Sequence, residues 1–262
     1  MPEPQIRFED GDAYERSMGV WSRLAGEVFL DWLGPSPGLR WVDVGCGSGA
    51  FTELIVQRCA PKEAQGIDPS EGQLAFARTR PAARLAEFRH GDAMALPYAD
   101  DSFDAAVMAL VLFFVPEPAK GVAEMVRVVR PGGLVAAYLW DFAAGGFPFE
   151  PIQAEMRAMG MAPLLPPSVQ TSRIDVLRDL WARAGLIAIE SHTITVSRSF
   201  ASFEEFWTIT PAGTAMRAAI EKMDPTDVEQ LRSRVRARLP TDAAGHITYQ
   251  AVANAIRGRV PI

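Results

Sequence analysis

Cysteine, histidine and long apolar runs are scarce in this chain. Its 262 residues include two cysteines and three histidines, and their positions give neither a disulfide framework nor a zinc-ligand spacing. No window reaches the roughly 18 apolar residues of a membrane helix, and the N-terminus lacks a basic start followed by an apolar stretch. We therefore expect a soluble, cytoplasmic protein without a metal site and without a membrane partner.

Positive charge is also in short supply. The formal net charge is −6, whereas binding to a nucleic-acid backbone depends on a basic face that neutralises phosphates. We therefore expect no nucleic-acid partner. Hydrophobic residues make up 48% of the chain, which suffices to bury the core of one large α/β domain, alone or with an added subdomain.

Apolar strands and amphipathic helices alternate along roughly the first half of the chain. The segment LRWVDVG predicts a buried parallel strand, and it is followed by a glycine loop and a helix. A second strand is predicted to end at Asp68 and a third at Asp92, while FDAAVMALVLFF and LVAAYLW predict a fourth and a fifth. Ser70 is expected to cap the helix after the second strand. This alternation predicts an α/β fold with a doubly wound, mostly parallel sheet that binds ligands beyond the carboxyl ends of its strands.

The pattern changes after Trp140. Residues 142–171 are rich in proline, glycine and methionine and predict an irregular connection with one short helix. We expect Ser172 to cap the following helix, which Gly185 closes. The segments LIAIESHTITVS and HITYQAVANAI then predict the last two strands.

A helical insertion is predicted between these last two strands. The domain boundaries are therefore 1–200 and 241–262 for the core and 201–240 for the insertion, which contains two or three amphipathic helices. Insertions at the edge of a sheet often cover a site, so this one is a candidate lid. Its aromatic cluster fits either a lid or ordinary core packing. The cluster consists of Phe200, Phe203, Phe206 and Trp207.

The clearest candidate for a ligand-binding segment is VDVGCGSGAF, residues 42–51. Its alternating glycines between a strand and a helix turn backbone N–H groups towards an anionic or polar ligand. The spacing Gly45-x-Gly47-x-x-Ala50, with Asp68 about 20 residues on, also satisfies the loose dinucleotide fingerprint. An NAD-dependent oxidoreductase is therefore an alternative, although the Tyr-x-x-x-Lys pair of short-chain enzymes is absent.

Three features favour a different ligand. Asp43 lies inside the first strand, where a buried acid needs partners, and Gly49 adds a third glycine to the series. Asp92 supplies a further carboxylate, suited to an adenine amino group. One carboxylate for a ribose, one for a base and a glycine loop for an amino-acid end describe S-adenosylmethionine.

Four segments resemble, in order and spacing, the successive motifs of class I S-adenosylmethionine-dependent methyltransferases. They are VDVGCGSGAF, GIDPSEGQLAFAR, GDAMALPYADDSFDAAVM and EMVRVVRPGGLVAAYLW. The resemblance is strong over residues 14–140, and AYERSMGVWSR is similar to the N-terminal helix of many bacterial small-molecule methyltransferases. It implies a Rossmann-like, seven-stranded sheet whose last strand is antiparallel, with S-adenosyl-L-methionine as cofactor.

The resemblance also implies a set of cofactor-binding residues. The glycine loop with Asp43 would hold the methionine part, Asp68 the ribose hydroxyls, and Asp92 with the Ala93 backbone the adenine. Tyr14 is expected to close over the methionine end and Arg23 to meet its carboxylate. The complete expected set is Tyr14, Arg23, Asp43, Gly45, Cys46, Gly47, Gly49, Asp68, Pro69, Asp92 and Ala93.

No catalytic constellation is evident in the sequence. Cys46 is expected merely to fit the loop, because no base lies beside it to activate a thiol nucleophile. His192 is a weak candidate general base, and Trp140 and Asp141 are placed near the expected acceptor pocket. The leading hypothesis is methyl transfer to a small-molecule acceptor by a monomer or homodimer. A non-enzymatic S-adenosylmethionine-binding module stays open beside the oxidoreductase.

Overall fold

A computed structural model of the protein describes residues 15–162, 165–212 and 214–262. Tyr14, one of the expected cofactor-binding residues, lies outside the described residues. The strands of the described part are β1 (Arg40–Val44), β2 (Glu63–Asp68), β3 (Glu87–His90), β4 (Phe103–Ala109), β5 (Val129–Trp140), β6 (Ile187–Phe200) and β7 (Ile247–Arg259). The α-helices are α1 (Val20–Leu33), α2 (Ala50–Cys59), α3 (Glu71–Ala77), α4 (Pro118–Val128), α5 (Glu150–Ala158), α6 (Ile174–Arg183), α7 (Phe203–Ile209), α8 (Ala215–Glu221) and α9 (Pro225–Arg238).

The strands form one seven-stranded sheet in the order β3-β2-β1-β4-β5-β7-β6. Strands β1 to β5 pair in parallel, whereas β7 runs antiparallel to both β5 and β6. This confirms the predicted mostly parallel sheet and its antiparallel last strand. The centre of the sheet is apolar, with residues 105–108 and 134–140 all buried, as in parallel strands covered on both faces.

Two strands end earlier than the sequence predicts. The apolar run FDAAVMALVLFF suggests one long strand, but β4 stops at Ala109 and Leu110 takes a left-handed conformation with φ 62°. Residues Leu112–Phe114 form a short 3₁₀ turn instead. The third strand also ends before Asp92, at His90. Apolar composition continues past the end of β4, so only the turn at Leu110 reveals that boundary.

The predicted cap at Ser172 is wrong, whereas the cap at Ser70 is confirmed. Ser70 accepts a hydrogen bond from the Gln73 N–H, at 3.4 Å. Ser172 closes the preceding 3₁₀ turn Val169–Ser172, and the N-cap position of α6 is taken by Arg173 without a side-chain cap. Ser172 therefore lies too early to cap α6, and its buried hydroxyl has no hydrogen-bond partner in the described part of the chain.

Helices α7, α8 and α9 lie between β6 and β7. Ser202 caps α7 by accepting from the Glu205 N–H at 3.2 Å. The aromatic residues at this end pack together: Phe200 and Phe206 both lie against Tyr249, with ring centroids 6.0 and 5.7 Å away. Both phenylalanines are buried, so this cluster is core packing. Among the described helices none is long and apolar enough to cross a membrane.

Candidate functional site

The loops after β1, β2 and β3 meet at one edge of the sheet. The backbone N–H groups of Gly45 and Cys46 both donate to the Ile67 carbonyl, at 2.7 and 3.0 Å, and Gly91 donates to the Asp68 carbonyl at 3.1 Å. These bonds continue the parallel register of the strands past their carboxyl ends. The predicted glycine loop, the acid that ends β2 and the acid that follows β3 are therefore brought together.

Three glycines of the loop adopt left-handed backbone conformations. Gly45, Gly47 and Gly49 have φ angles of 77°, 51° and 78°, a region that residues with a side chain rarely enter. A β carbon on Gly49 would lie 3.0 Å from the Ala77 β carbon, so that position is closely packed. A β carbon on Gly47 would meet nothing nearer than 3.9 Å. The backbone at Gly47 therefore borders open space that a ligand can fill.

Asp43 is the buried acid of the site. It is 1% exposed, and its Oδ2 accepts a hydrogen bond from the Thr52 hydroxyl at 2.7 Å. Its Oδ1 has no hydrogen-bond partner among the described residues. Burial raises the pKa of Asp43 to about 7, against the Thr52 hydrogen bond that lowers it, and the nearby Asp68 carboxylate adds to the rise. A buried carboxylate with one unpartnered oxygen is stabilised by a cationic or N–H donor.

Asp68 connects the glycine loop to the loop after β2. Its Oδ2 accepts from the Gly47 N–H at 2.9 Å and its Oδ1 accepts from the Ser70 N–H at 2.8 Å. Burial raises the pKa of this carboxyl, while the two backbone donors counteract the rise. Each carboxylate oxygen retains a further lone pair, so Asp68 can hold both loops and still accept hydroxyl groups. Pro69 lies between Asp68 and Ser70 and is exposed.

Asp92 and Ala93 follow β3 at the same edge. The Asp92 side chain is exposed, and its Oδ1 accepts from the Met94 N–H at 2.8 Å. Asp92 therefore stabilises the turn that it begins, and one oxygen remains available to a ligand. Ala93 is half-buried and packs against the core.

Two further expected cofactor-binding residues, Cys46 and Arg23, have different surroundings. Cys46 is buried, its Sγ lies 3.8 Å from the Gly47 carbonyl, and burial raises the pKa of its thiol. Its environment opposes the thiolate, which argues against a nucleophilic role. Arg23 is exposed on α1 and pairs with Glu27 at 3.1 Å. The guanidinium that reaches the glycine loop belongs to another residue.

That residue is Arg80, which sequence reasoning missed. Its Nε donates to the Ser48 carbonyl at 2.6 Å, and its terminal nitrogens pair with Glu15 at 2.5 Å and Glu53 at 3.1 Å. The Ser48 hydroxyl also donates to Glu15, at 2.9 Å. Arg80 thereby ties the segment before α1 and the start of α2 to the glycine loop. Its partners lie far apart in sequence, so no local motif signals the cluster.

A cavity of about 140 Å³ opens beside this loop, at the carboxyl ends of β4 and β5. Its wall is built from segments that are distant in sequence, including Leu110, Phe113, Trp140, Phe142, Met156 and Met216. The neighbour of Leu110, Val111, packs directly on Gly45. The loop after β4 is therefore shared by the glycine loop and the cavity.

Of the two residues that the sequence places near this pocket, Trp140 and Asp141, and the candidate base His192, only Trp140 lines the cavity. Trp140 is buried and forms part of the wall. Asp141 is not part of it; its Oδ1 accepts from the Ala144 N–H at 3.0 Å and so holds a turn. His192 is exposed on β6, where it stacks on Trp32 with ring centroids 5.6 Å apart. The structure does not support a general base at His192, because β6 is an edge strand three positions from β4 and His192 does not line the cavity. Among the described residues no cluster of potential metal ligands occurs.

The strand order, the antiparallel β7 and the glycine loop after β1 define a class I methyltransferase fold. Residues 42–137 match the family model described as "Methyltransferase domain". This match covers all parts of the site between the glycine loop and β5, and it confirms the resemblance seen in the sequence.

Several curated relatives carry methyltransferase names. The demethylmenaquinone methyltransferase of Desulfitobacterium hafniense is 41% identical over 106 residues, which are 38% of this chain and 42% of that protein. The malonyl-[acyl-carrier protein] O-methyltransferase of Methylococcus capsulatus is 38% identical over 132 residues, 50% of this chain and 46% of that protein. The chain thus spans about half the length of the curated relatives it matches.

Solved structures extend the likeness of fold to most of the chain. The YcgJ protein of Bacillus subtilis aligns with a TM-score of 0.61 at 16% identity, over 91% of this chain and 98% of that one. Phosphoethanolamine N-methyltransferase 2 of Haemonchus contortus aligns with a TM-score of 0.58 at 18% identity, over 96% of this chain and 57% of that one. At these identities the alignments establish the fold.

Proposed function

We propose that this protein transfers a methyl group from S-adenosyl-L-methionine to a small-molecule acceptor. The observation that carries the proposal is the buried Asp43 Oδ1, which has no partner among the described residues. It lies beneath a glycine loop that Val111, packed on Gly45, joins to the cavity lined by Leu110. An amino-acid end on the loop and an acceptor in the cavity would lie next to each other. Approximation of this kind is the main demand of methyl transfer.

The residues fit this cofactor. Asp43 Oδ1 lacks a donor that a charged amino group would supply, and Gly47 leaves space against the backbone. Asp68 would accept the ribose hydroxyls and the turn from Asp92 to Ala93 would border the adenine. When bound, the cofactor supplies a methyl group on a positively charged sulfur, which keeps the bonding electron pair as the methyl carbon joins the acceptor.

The chain's own contribution on the acceptor side is orientation and exclusion of water. Phe113 and Phe142 meet edge to face at 5.5 Å in the cavity wall. Of the described residues that line the cavity, none is an acid, a histidine, a lysine or a cysteine. We therefore propose that these walls align an acceptor atom whose lone pair is already available, and that any proton on that atom is lost to bulk water after the methylated product leaves the cavity.

We also propose that residues 201–240 act as a lid on the acceptor side. Helix α8 contributes Ala215, Met216 and Ala219 to the cavity wall, although the aromatic cluster near α7 is core packing. Replacing residues 208–238 by a short flexible linker should preserve binding of S-adenosylhomocysteine within a few-fold and abolish turnover. Retained turnover with the same acceptor profile would assign acceptor choice to residues 140–171 instead.

On the remaining partners, we propose a monomer or homodimer that acts in the cytoplasm on a free small molecule. The net charge of −6 supports an acceptor other than nucleic acid. Sedimentation with and without S-adenosylhomocysteine would test the oligomeric state.

Calorimetry and a transfer assay test the central proposal. S-adenosylhomocysteine should bind with a micromolar dissociation constant, while NADH and NADPH give no heat. Saturable NADH binding without S-adenosylhomocysteine binding would favour the oxidoreductase alternative, against which the antiparallel β7 already argues. Cofactor binding without methyl donation to any acceptor in a metabolite extract would favour a non-enzymatic binding module.

A further inference from the structure

The cavity beside the glycine loop has the size of a single ring. Its volume is about 140 Å³, close to the roughly 150 Å³ of an engineered apolar cavity that binds benzene. A fused polycyclic or long-chain group would have to extend beyond it. The size of the cavity therefore selects a monocyclic group as the part of the acceptor that enters.

The walls of the cavity are aromatic and uncharged. Phe142 and Phe147 stack at 4.4 Å, and Phe147 meets Phe149 edge to face at 5.1 Å. Of the described residues that form the lining, none carries a charge. An ionised acceptor would lose its hydration here without gaining a partner, so the lining favours a neutral ring.

One amide interrupts this apolar wall. The Gln153 side chain on α5 lines the cavity although the residue is only 8% exposed. Its backbone N–H donates to the Phe149 carbonyl at 3.0 Å, whereas its side-chain amide forms no hydrogen bond with another described residue and lies at the cavity surface. By contrast, the hydroxyl of Thr214, also in the lining, donates to the Pro211 carbonyl at 2.6 Å. Buried amides are normally hydrogen-bonded, because an unpaired one is destabilising.

We propose that the Gln153 side chain is the polar anchor of the acceptor pocket, and that it selects a neutral single-ring acceptor carrying a hydroxyl or carbonyl oxygen. The amide offers both a donor and an acceptor, so it can bind either oxygen group. This assignment rests on the proposed methyl transfer, because it identifies the bound ring as the methyl acceptor. The binding preference itself requires only the cavity.

Ligand-observed NMR titrations with phenol, toluene and benzoate test the anchor directly, without cofactor or turnover. The ratio of phenol affinity to toluene affinity should fall about 3- to 10-fold in Gln153→Leu, as expected for one neutral hydrogen bond. Toluene should bind the variant at least as well as the parent, and benzoate should bind both weakly.

Two control variants separate this role from a general effect on the pocket. Gln230→Leu, on an exposed part of α9, should leave all affinities unchanged. Ala219→Phe should fill the cavity and remove phenol and toluene binding alike, while S-adenosylhomocysteine affinity stays within about two-fold.

The outcomes are distinguishable. An unchanged phenol-to-toluene ratio in Gln153→Leu, equal loss of both ligands, or no ring binding in the parent would overturn the anchor. If the parent shows the predicted preference but does not bind S-adenosylhomocysteine, the methyltransferase proposal fails while the anchor stands.

Discussion

Val111 packs directly against the backbone of Gly45. A β carbon built on Gly45 would overlap the Val111 side chain, with Cγ2 only 2.7 Å away, and Gly45 has φ 77°. Position 45 therefore excludes a side chain for two independent reasons, backbone conformation and space. The contact also joins the two halves of the site, because Val111 follows Leu110, which lines the cavity.

This contact predicts that Gly45→Ala is more destabilising than another left-handed glycine substitution. Gly38 supplies the control, since it has φ 81° but no atom within 4 Å of a built β carbon. Gly38→Ala should cost about 1–2 kcal/mol of unfolding free energy from backbone strain alone, and Gly45→Ala should cost about 1–3 kcal/mol more from overpacking. Urea denaturation measures both. Equal losses would show that Val111 moves aside freely.

Asp43 predicts a specific dependence of stability on pH. Its pKa is raised from 3.8 to about 7, so between these values the folded protein binds more protons at this site than the unfolded chain does. The free energy of unfolding contributed by this group is therefore full below pH 4 and falls as the pH rises towards 7. In Asp43→Asn the loss of stability from pH 4 to pH 8 should be smaller. A pH profile parallel to that of the parent would contradict a raised pKa at Asp43.

The same residue predicts how cofactor affinity varies with pH. If the cofactor's amino group pairs with Asp43, S-adenosylhomocysteine should bind more tightly as the pH rises through about 7, because the carboxylate is then ionised. Asp43→Asn should weaken binding roughly 10- to 100-fold and remove this dependence, as expected for a charge-assisted hydrogen bond. Calorimetry between pH 5.5 and pH 8 measures both effects. Undiminished affinity in the variant would remove Asp43 from the site.

Asp68 is expected to serve both the loops and the ribose. Asp68→Ala should weaken S-adenosylhomocysteine binding roughly 10- to 100-fold. Because Gly47 and Ser70 also lose their acceptors, the substitution should lower the unfolding free energy by about 1–2 kcal/mol. Asp175→Ala is the control, since its partner Arg173 is exposed and lies far from the loop in the chain. A stable variant with unchanged affinity would contradict both roles.

The ion pairs of Arg80 predict that its replacement lowers the unfolding free energy of the protein. Its side chain is 14% exposed and that of its partner Glu53 is 10% exposed, so Arg80→Met leaves a poorly solvated carboxylate without a partner. We expect a loss of about 1–3 kcal/mol in unfolding free energy, with only partial recovery in Arg80→Lys because lysine lacks the planar fork. Arg58→Met is the matched control, since its pair with Asp31 is exposed and should contribute less than about 1 kcal/mol. Similar losses in both methionine variants would show that the Arg80 cluster has no special role.

The sequence by itself determined the order of strands and helices, the glycine loop after β1, the acid at the end of β2 and the acid after β3. These features depend on local rules: apolar periodicity, glycine at left-handed positions and turn residues at strand ends. The parallel register then brings the strand ends together, so Asp43, Gly47 and Asp68 could be assigned to one site from the chain alone.

Only the tertiary structure decided which distant side chains complete the site. Arg80 pairs with residues 65 and 27 positions away in the sequence. Gln153 lines a cavity whose walls come from several separate segments. The sequence did not reveal the end of β4 at Ala109 or the exposed position of His192, because both lie in apolar or β-branched runs. Local periodicity encodes which face of an element is buried, but long-range packing decides what each buried group contacts and where a cavity remains.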